Sequence, residues 1–169
     1  MFRLLDHWEK IRGGNQVPPR SALDPSDIHW ALSAIWLMRF EPESKQFRYR
    51  LAGEDVQAIF SVSLAGKTFH DFLEQELADF LVEKFRRVIE EPAICHDIGP
   101  IYVNSDKQGE GERLVLPLAG KSGQCEYLLG YTAYNWDGLI KARRSDGVQY
   151  STTFTPIVPD GEVKPTSAG

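Results

Sequence analysis

Between Phe69 and Ile89 apolar side chains recur at Phe69, Phe72, Leu73, Leu77, Phe80, Leu81, Phe85, Val88 and Ile89. Spacings of three and four place them along one side of an α-helix. The periodicity predicts a helix from Asp71 to Glu91. Asp71, Glu74, Glu76 and Asp79 fall in its first half and Lys84, Arg86 and Arg87 in its second, a distribution that matches the helix dipole. Pro92 ends it. Such a stripe has to lie on an equally apolar surface, and the flanking chain offers alternating runs rather than a second long helix.

Before the helix, Trp36, Met38 and Phe40 alternate with Leu37 and Arg39, and Phe47, Tyr49 and Leu51 alternate with Arg48 and Arg50. The polar stretch from Glu41 to Lys45 joins them, so the pair reads as a β-hairpin with one buried face. After the helix come three strands, at about 93–103, 112–118 and 126–136, separated by glycine-rich turns. Leu114, Leu116 and Leu118 share one face, and Tyr127, Leu129, Tyr131 and Ala133 share another. The fold class is α+β, with a hairpin, a long helix, three antiparallel strands and an N-terminal helix.

That N-terminal helix carries Leu4, Leu5, Trp8 and Ile11 on one face and stops at Gly13-Gly14. Its stripe needs cover, either from the outer face of the sheet or from the same helix of a second chain in a homodimer. Val17-Pro18-Pro19-Arg20 is an extended connector, and Asp24-Pro25 starts a helical turn. Residues 1–137 form a single domain. Residues 138–169 read as a C-terminal tail, mobile beyond about Pro159 unless it docks.

The chain has 169 residues, 42% of them hydrophobic, and a formal charge of −5. That is enough apolar mass for a core without disulfide staples. Net acidity argues against a nucleic-acid partner, and no apolar run of about 18 residues exists to span a membrane. The first residues meet charge at Arg3 and Asp6 with no apolar signal region, and the two cysteines, Cys95 and Cys125, read as reduced thiols. A cytoplasmic location is expected.

Motifs for chemistry are missing or false. Gly66-Lys67-Thr68 resembles the end of a phosphate loop, yet Ser61 stands where its first glycine belongs, and Gly109-Glu110-Gly111 lacks the third glycine of a dinucleotide fingerprint. His7, His29, His70 and His96 are scattered, so no metal site is expected.

The order helix, hairpin, short turns, long helix and three antiparallel strands resembles a PAS domain. Trp8 with Ile11-Arg12-Gly13-Gly14, Pro18-Pro19-Arg20, Asp24-Pro25, Phe47-Arg48-Tyr49-Arg50-Leu51-Ala52-Gly53 and Gly66-Lys67 make it similar to the stand-alone PAS family of alphaproteobacteria that includes the MopJ-type motility regulators. The likeness covers about residues 4–136. It implies a five-stranded antiparallel sheet with the long helix on its concave face, in which the last strand lies beside the first and one strand separates Cys95 from Cys125, too far for a disulfide. It also implies that no cofactor is bound: His70 lies outside the periodic part of the helix that carries the haem ligand in haem-binding PAS domains, and neither cysteine has the surroundings of a flavin-binding one.

Two readings of the candidate site residues stay open. Trp36, Met38, Tyr49, Phe72 and Tyr131 form either solid core or the wall of a ligand cavity between sheet and helix, where PAS-like domains bind, with Tyr49 and Tyr131 supplying hydroxyls. Arg50, on the opposite face from Tyr49, is either paired with Asp6, Glu9 or another acid, or is a clamp for an acidic ligand. The expected function is a non-catalytic sensory or regulatory domain, acting through an unknown small molecule or a signalling protein, in bacterial signalling or motility control. The alternatives are a small enzyme on a cone-shaped α+β fold, with Asp71, Asp97 or Glu126 as base, and an adaptor without ligand.

Overall fold

The computed structural model describes residues 1–60, 62–104, 107–135 and 150–158, with 100–104, 107–110 and 135 described by backbone alone. Six strands, β1 (Ile35–Glu41), β2 (Gln46–Ala52), β3 (Ala93–Asn104), β4 (Lys107–Ala119), β5 (Cys125–Asn135) and β6 (Ser151–Pro156), form one antiparallel sheet in the order β2-β1-β5-β4-β3-β6. The last expected strand, β5, lies beside β1, and β4 separates Cys95 from Cys125, both free thiols. The sixth strand departs from the expected five: residues 151–156, read from sequence as tail, pair with β3 from Ala93–Pro156 to Ile98–Ser151. The expectation of a mobile segment after Pro159 lies outside the described residues.

Both faces of the sheet are covered. Helix α3 (Gln75–Glu90) lies on one, burying Ala78, Leu81, Val82, Phe85, Val88 and Ile89 with Trp36, Met38, Phe47, Tyr49, Val115 and Leu128. Helix α1 (Phe2–Arg12) and the segment after it cover the other, where Leu4 and Trp8 pack on Ile35, Leu37, Leu114, Leu116, Leu118 and Leu129. The Trp8 indole N–H donates to the Pro117 carbonyl at 2.9 Å. The α1 stripe is therefore covered by its own chain, and Phe2, 74% exposed, is left outside. Gly13, at φ 56°, ends α1 in the left-handed region that glycine enters without strain. The extended Pro18-Pro19 stretch bonds to β4, the Ala119 N–H donating to the Pro18 carbonyl.

Three local differences from the periodic reading have physical causes. The long helix starts at Gln75 rather than Asp71, because the Asp71 carboxylate accepts from the Thr68 N–H (2.7 Å) and closes a separate 3-10 turn, Phe69–Asp71, as a capping box. Leu77 and Phe80 are 37% and 54% exposed, since the face pressed on the sheet runs through 78, 81, 82, 85, 88 and 89 and leaves them on its flank. In β2 the register slips opposite Leu37 and Met38: Tyr49 pairs with Met38, Leu51 with Leu37, and Arg50 is the extra residue. The bulge turns Leu51 away from the face that holds Phe47 and Tyr49. Helix α2 (Glu54–Gln57) then links the hairpin to the segment before α3.

Candidate ligand site

Side chains on the α3 face of the sheet are arranged in rows, because antiparallel neighbours stand opposite one another and every second residue faces the same way. One row is apolar: Phe154, Cys95, Val115, Gly130, Trp36 and Ala52, taken across all six strands. The Trp36 ring lies between Phe85 (5.6 Å, stacked) and the bare backbone of Gly130, where an added Cβ would meet the indole at 1.9 Å. Phe47, Phe69 and Tyr49 close around this pair with centroid separations of 5.7–6.2 Å to Phe85 or Trp36. These rings occupy the ground beneath the middle of α3.

The next row is polar. Register places Thr152 of β6, Asp97 of β3, Arg113 of β4 and Thr132 of β5 side by side, two residues from the apolar row. Asp97 has no exposed surface, and Arg113 and Thr132 are 7% and 1% exposed. Lys84 reaches down from α3, its own side chain buried, and its Nζ donates to Asp97 Oδ1. Thr152 Oγ1 donates to the same oxygen at 2.8 Å, and Lys84 also bonds the hydroxyls of Tyr150 and Thr152. At the far end the Trp36 indole N–H donates to Thr132 Oγ1 at 3.1 Å. Thus an aromatic shelf and a charged row share one wall.

Asp97 Oδ1 is fully engaged, whereas Oδ2 accepts no hydrogen bond among the described residues and lies 4.0 Å from the Arg113 guanidinium. Leaving a buried carboxylate oxygen without a donor costs about 1–3 kcal/mol or more. Beyond the row, the next pair on the same face is Gly99 with Gly111, which places no side chain over Asp97 and Arg113. Cys95, one step back on β3, has its thiol pushed up to about 12, first by burial and then by the negative charge of Asp97. It is a packing residue, not a nucleophile.

The structure separates the residues singled out from sequence. Trp36, Met38 and Tyr49 are buried together under α3, and Phe72 packs half-buried at their edge, 6.1 Å from Tyr49. Tyr131 is on the opposite face, against Trp30 and the α1 side of the core, because it pairs with Ile35 and Leu114 rather than with Trp36. Its hydroxyl cannot join that of Tyr49. Arg50 is exposed on the bulge and makes no ion pair among the described residues, since β2 is an edge strand that α1 does not cover. The expected pairing with Asp6 or Glu9 is not present among the described residues. The ion pair of that hairpin belongs to Arg48, which grips Glu41 at 2.7 and 2.9 Å. Arg48 holds the Glu41 carboxyl below the usual carboxylate range.

Of the three acids considered as a base, Asp71 is held by Thr68 and Glu126 is paired with Arg39 at the surface, while Asp97 is locked to Lys84 and Thr152. Lys84, Arg113 and Thr132 escaped the sequence reading. The available signal was a lysine inside the apolar stripe of α3, between Leu81 and Val88. A separate open cleft of about 980 Å³ lies at the other end of the sheet, lined by Gln16, Arg39, Phe40, Ile89, Cys125 and Glu126 among others. Of the residues considered from sequence for chemistry it contains Cys125 and Glu126, but none of the candidate ligand-binding residues Trp36, Met38, Tyr49, Arg50, Phe72 and Tyr131.

Comparison with known proteins adds one match: a family model described as PAS domain fits residues 1–133. No curated protein and no solved structure matches the chain.

Proposed function

Because the chain belongs to the PAS-domain family, a family of sensory and regulatory domains, we propose that it senses a small polar molecule bound against the row Asp97, Arg113 and Thr132. The observation that carries this reading is Asp97 Oδ2, a buried carboxylate oxygen that accepts no hydrogen bond among the described residues although Arg113 lies 4.0 Å away and Lys84 holds the other oxygen. A ligand bearing a hydroxyl or ammonium group supplies the missing donor. A carboxylate on the same ligand meets Arg113. Hydroxy acids and amino acids have that chemistry. Signalling then follows as a population shift, set by the difference in ligand affinity between two arrangements of the domain.

Two free thiols, one of them fully buried, support a reducing compartment such as the cytoplasm. The likeness to MopJ-type regulators supports bacterial signalling or motility control as the setting. Homodimerisation through the N-terminal helix would use Phe2 and its surroundings, since Leu4 and Trp8 are already covered.

The test is thermal unfolding of the whole chain with a panel of amino acids, short hydroxy acids and dicarboxylates at millimolar concentration. A ligand at about 100 times its dissociation constant stabilises by about 2.7 kcal/mol, which moves a midpoint by several degrees in a domain of this size. At least one compound should do so. A panel that leaves the midpoint unmoved would favour the adaptor that acts through protein association alone.

A further inference from the structure

A lysine ammonium carries three N–H donors and no acceptor. Lys84 Nζ donates to Asp97 Oδ1, to the Tyr150 hydroxyl and to Thr152 Oγ1, so all three are used and none is left for Asp97 Oδ2. Thr152 acts twice. Its oxygen accepts from Lys84 while its own O–H donates to Asp97 Oδ1 at 2.8 Å. Oδ1 thereby collects the ammonium and a hydroxyl, and Oδ2 collects no donor among the described residues. The two side chains that create this imbalance belong to the last strand: register sets Thr152 opposite Asp97 of β3, and Tyr150 stands just before β6. Both lie beyond residues 1–133, which the family model fits.

We propose that Tyr150 and Thr152 are positioning residues for the binding row: by occupying two of the three Lys84 donors they pin the ammonium on Asp97 Oδ1 and keep Oδ2 open to a ligand's hydroxyl or ammonium group. The inference rests on the reading of that row as the binding site. Its physical basis is the cost of idle polar groups in a dry place. The Lys84 and Asp97 side chains are 5% and 0% exposed, so water offers them little compensation. With both β6 hydroxyls removed, Lys84 has two idle donors beside an idle carboxylate oxygen, and the ammonium turns to span both oxygens. The row then satisfies itself. A ligand has to displace a lysine to enter, although neither Tyr150 nor Thr152 needs to touch that ligand.

The experiment compares the full chain with its double variant Tyr150→Phe, Thr152→Val, first by crystal structures of both without added ligand. In the variant Lys84 Nζ should lie within hydrogen-bond distance of both Asp97 oxygens, about 2.7–3.2 Å. An ammonium still on Oδ1 alone would overturn the proposal. Thermal unfolding with lactate and with alanine at millimolar concentration gives the second readout. A probe that stabilises the wild type should bind the double variant at least about tenfold more weakly, and Thr152→Ser, which keeps the hydroxyl, should restore wild-type affinity. Equal affinity of wild type and double variant would also overturn the proposal. A wild type that responds to neither probe would count against the binding reading, and the position of the ammonium in the variant would still decide this one. Should the double variant not fold, Tyr150→Phe alone, at a residue 40% exposed, frees one donor and is judged by the same two distances.

Discussion

Lys84 on α3 and Asp97 on β3 form an ion pair whose side chains are 5% and 0% exposed, at the point where the long helix crosses the outer half of the sheet. Removing one partner leaves the other charge uncompensated in the interior, at a cost of about 3–5 kcal/mol, whereas replacing both with apolar residues of similar size is often far milder. Lys84→Met and Asp97→Leu should each lower the unfolding free energy in urea by about that amount. The double variant should lose clearly less than the sum of the two. Additive losses would mean that the two residues act separately.

The contact between Trp36 and Gly130 is a second point of strain if altered. A Cβ at Gly130 would stand 1.9 Å from the indole, and Phe85 stacks on the ring. Gly130→Ala should destabilise the domain by about 1–3 kcal/mol through overpacking and change the tryptophan fluorescence of the folded state. An alanine variant with unchanged midpoint and spectrum would show that the ring does not rest on that backbone.

The two thiols should be silent in the native protein. Burial pushes both up to about 12, Cys95 with help from Asp97 and Cys125 with help from Glu126. Since the thiolate is the reactive form, a chromogenic disulfide reagent at pH 8 should titrate almost no thiol until denaturant is added, and then two. Rapid reaction of the folded protein would contradict this. So would a disulfide joining Cys95 to Cys125, for β4 lies between their strands.

Asp71 ties the 3-10 turn to Thr68. The Thr68 backbone N–H, then its hydroxyl, hold the Asp71 carboxyl below the usual range. A depressed folded-state pKa contributes stability that is present above the unfolded value, near 4, and is lost as pH falls through the folded one. An NMR titration should therefore find Asp71 protonating below the ordinary aspartate range. Asp71→Asn should lose part of the stability at pH 7 and differ least from wild type near pH 2. An Asp71 that titrates in the ordinary aspartate range would mean that the capping box is open in solution.

How far these features could be read in advance follows from the range of the interactions that set them. The α3 stripe and the alternation of Leu114, Leu116 and Leu118 are local and periodic, so helix and strands were legible, while the order of the strands came only with the family resemblance. The bulge at Arg50 was not, because one extra residue in β2 is defined only by its partners in β1, and it undid the assignment of Leu51 and Arg50. Tyr131 was placed on the wrong wall for the same reason: alternation tells which residues share a face, but register with Ile35 and Leu114 tells which face that is. Likewise Ser151–Pro156 has a composition of hydroxyls and proline that looks like tail. Its strand form depends on a β3 edge far away in sequence. The polar row is visible only once Lys84, Asp97, Arg113 and Thr152, drawn from four elements, are brought to one spot.

The most direct test of the sensory reading is amide chemical-shift mapping on the isotopically labelled full chain, using the panel compound that most raises the unfolding midpoint. The account predicts shifts centred on Asp97, Arg113, Thr132 and Thr152, with the indole N–H of Trp36 among them. Shifts centred instead on Gln16, Arg39 and Gln124–Glu126, in the open cleft at the other end of the sheet, would contradict it.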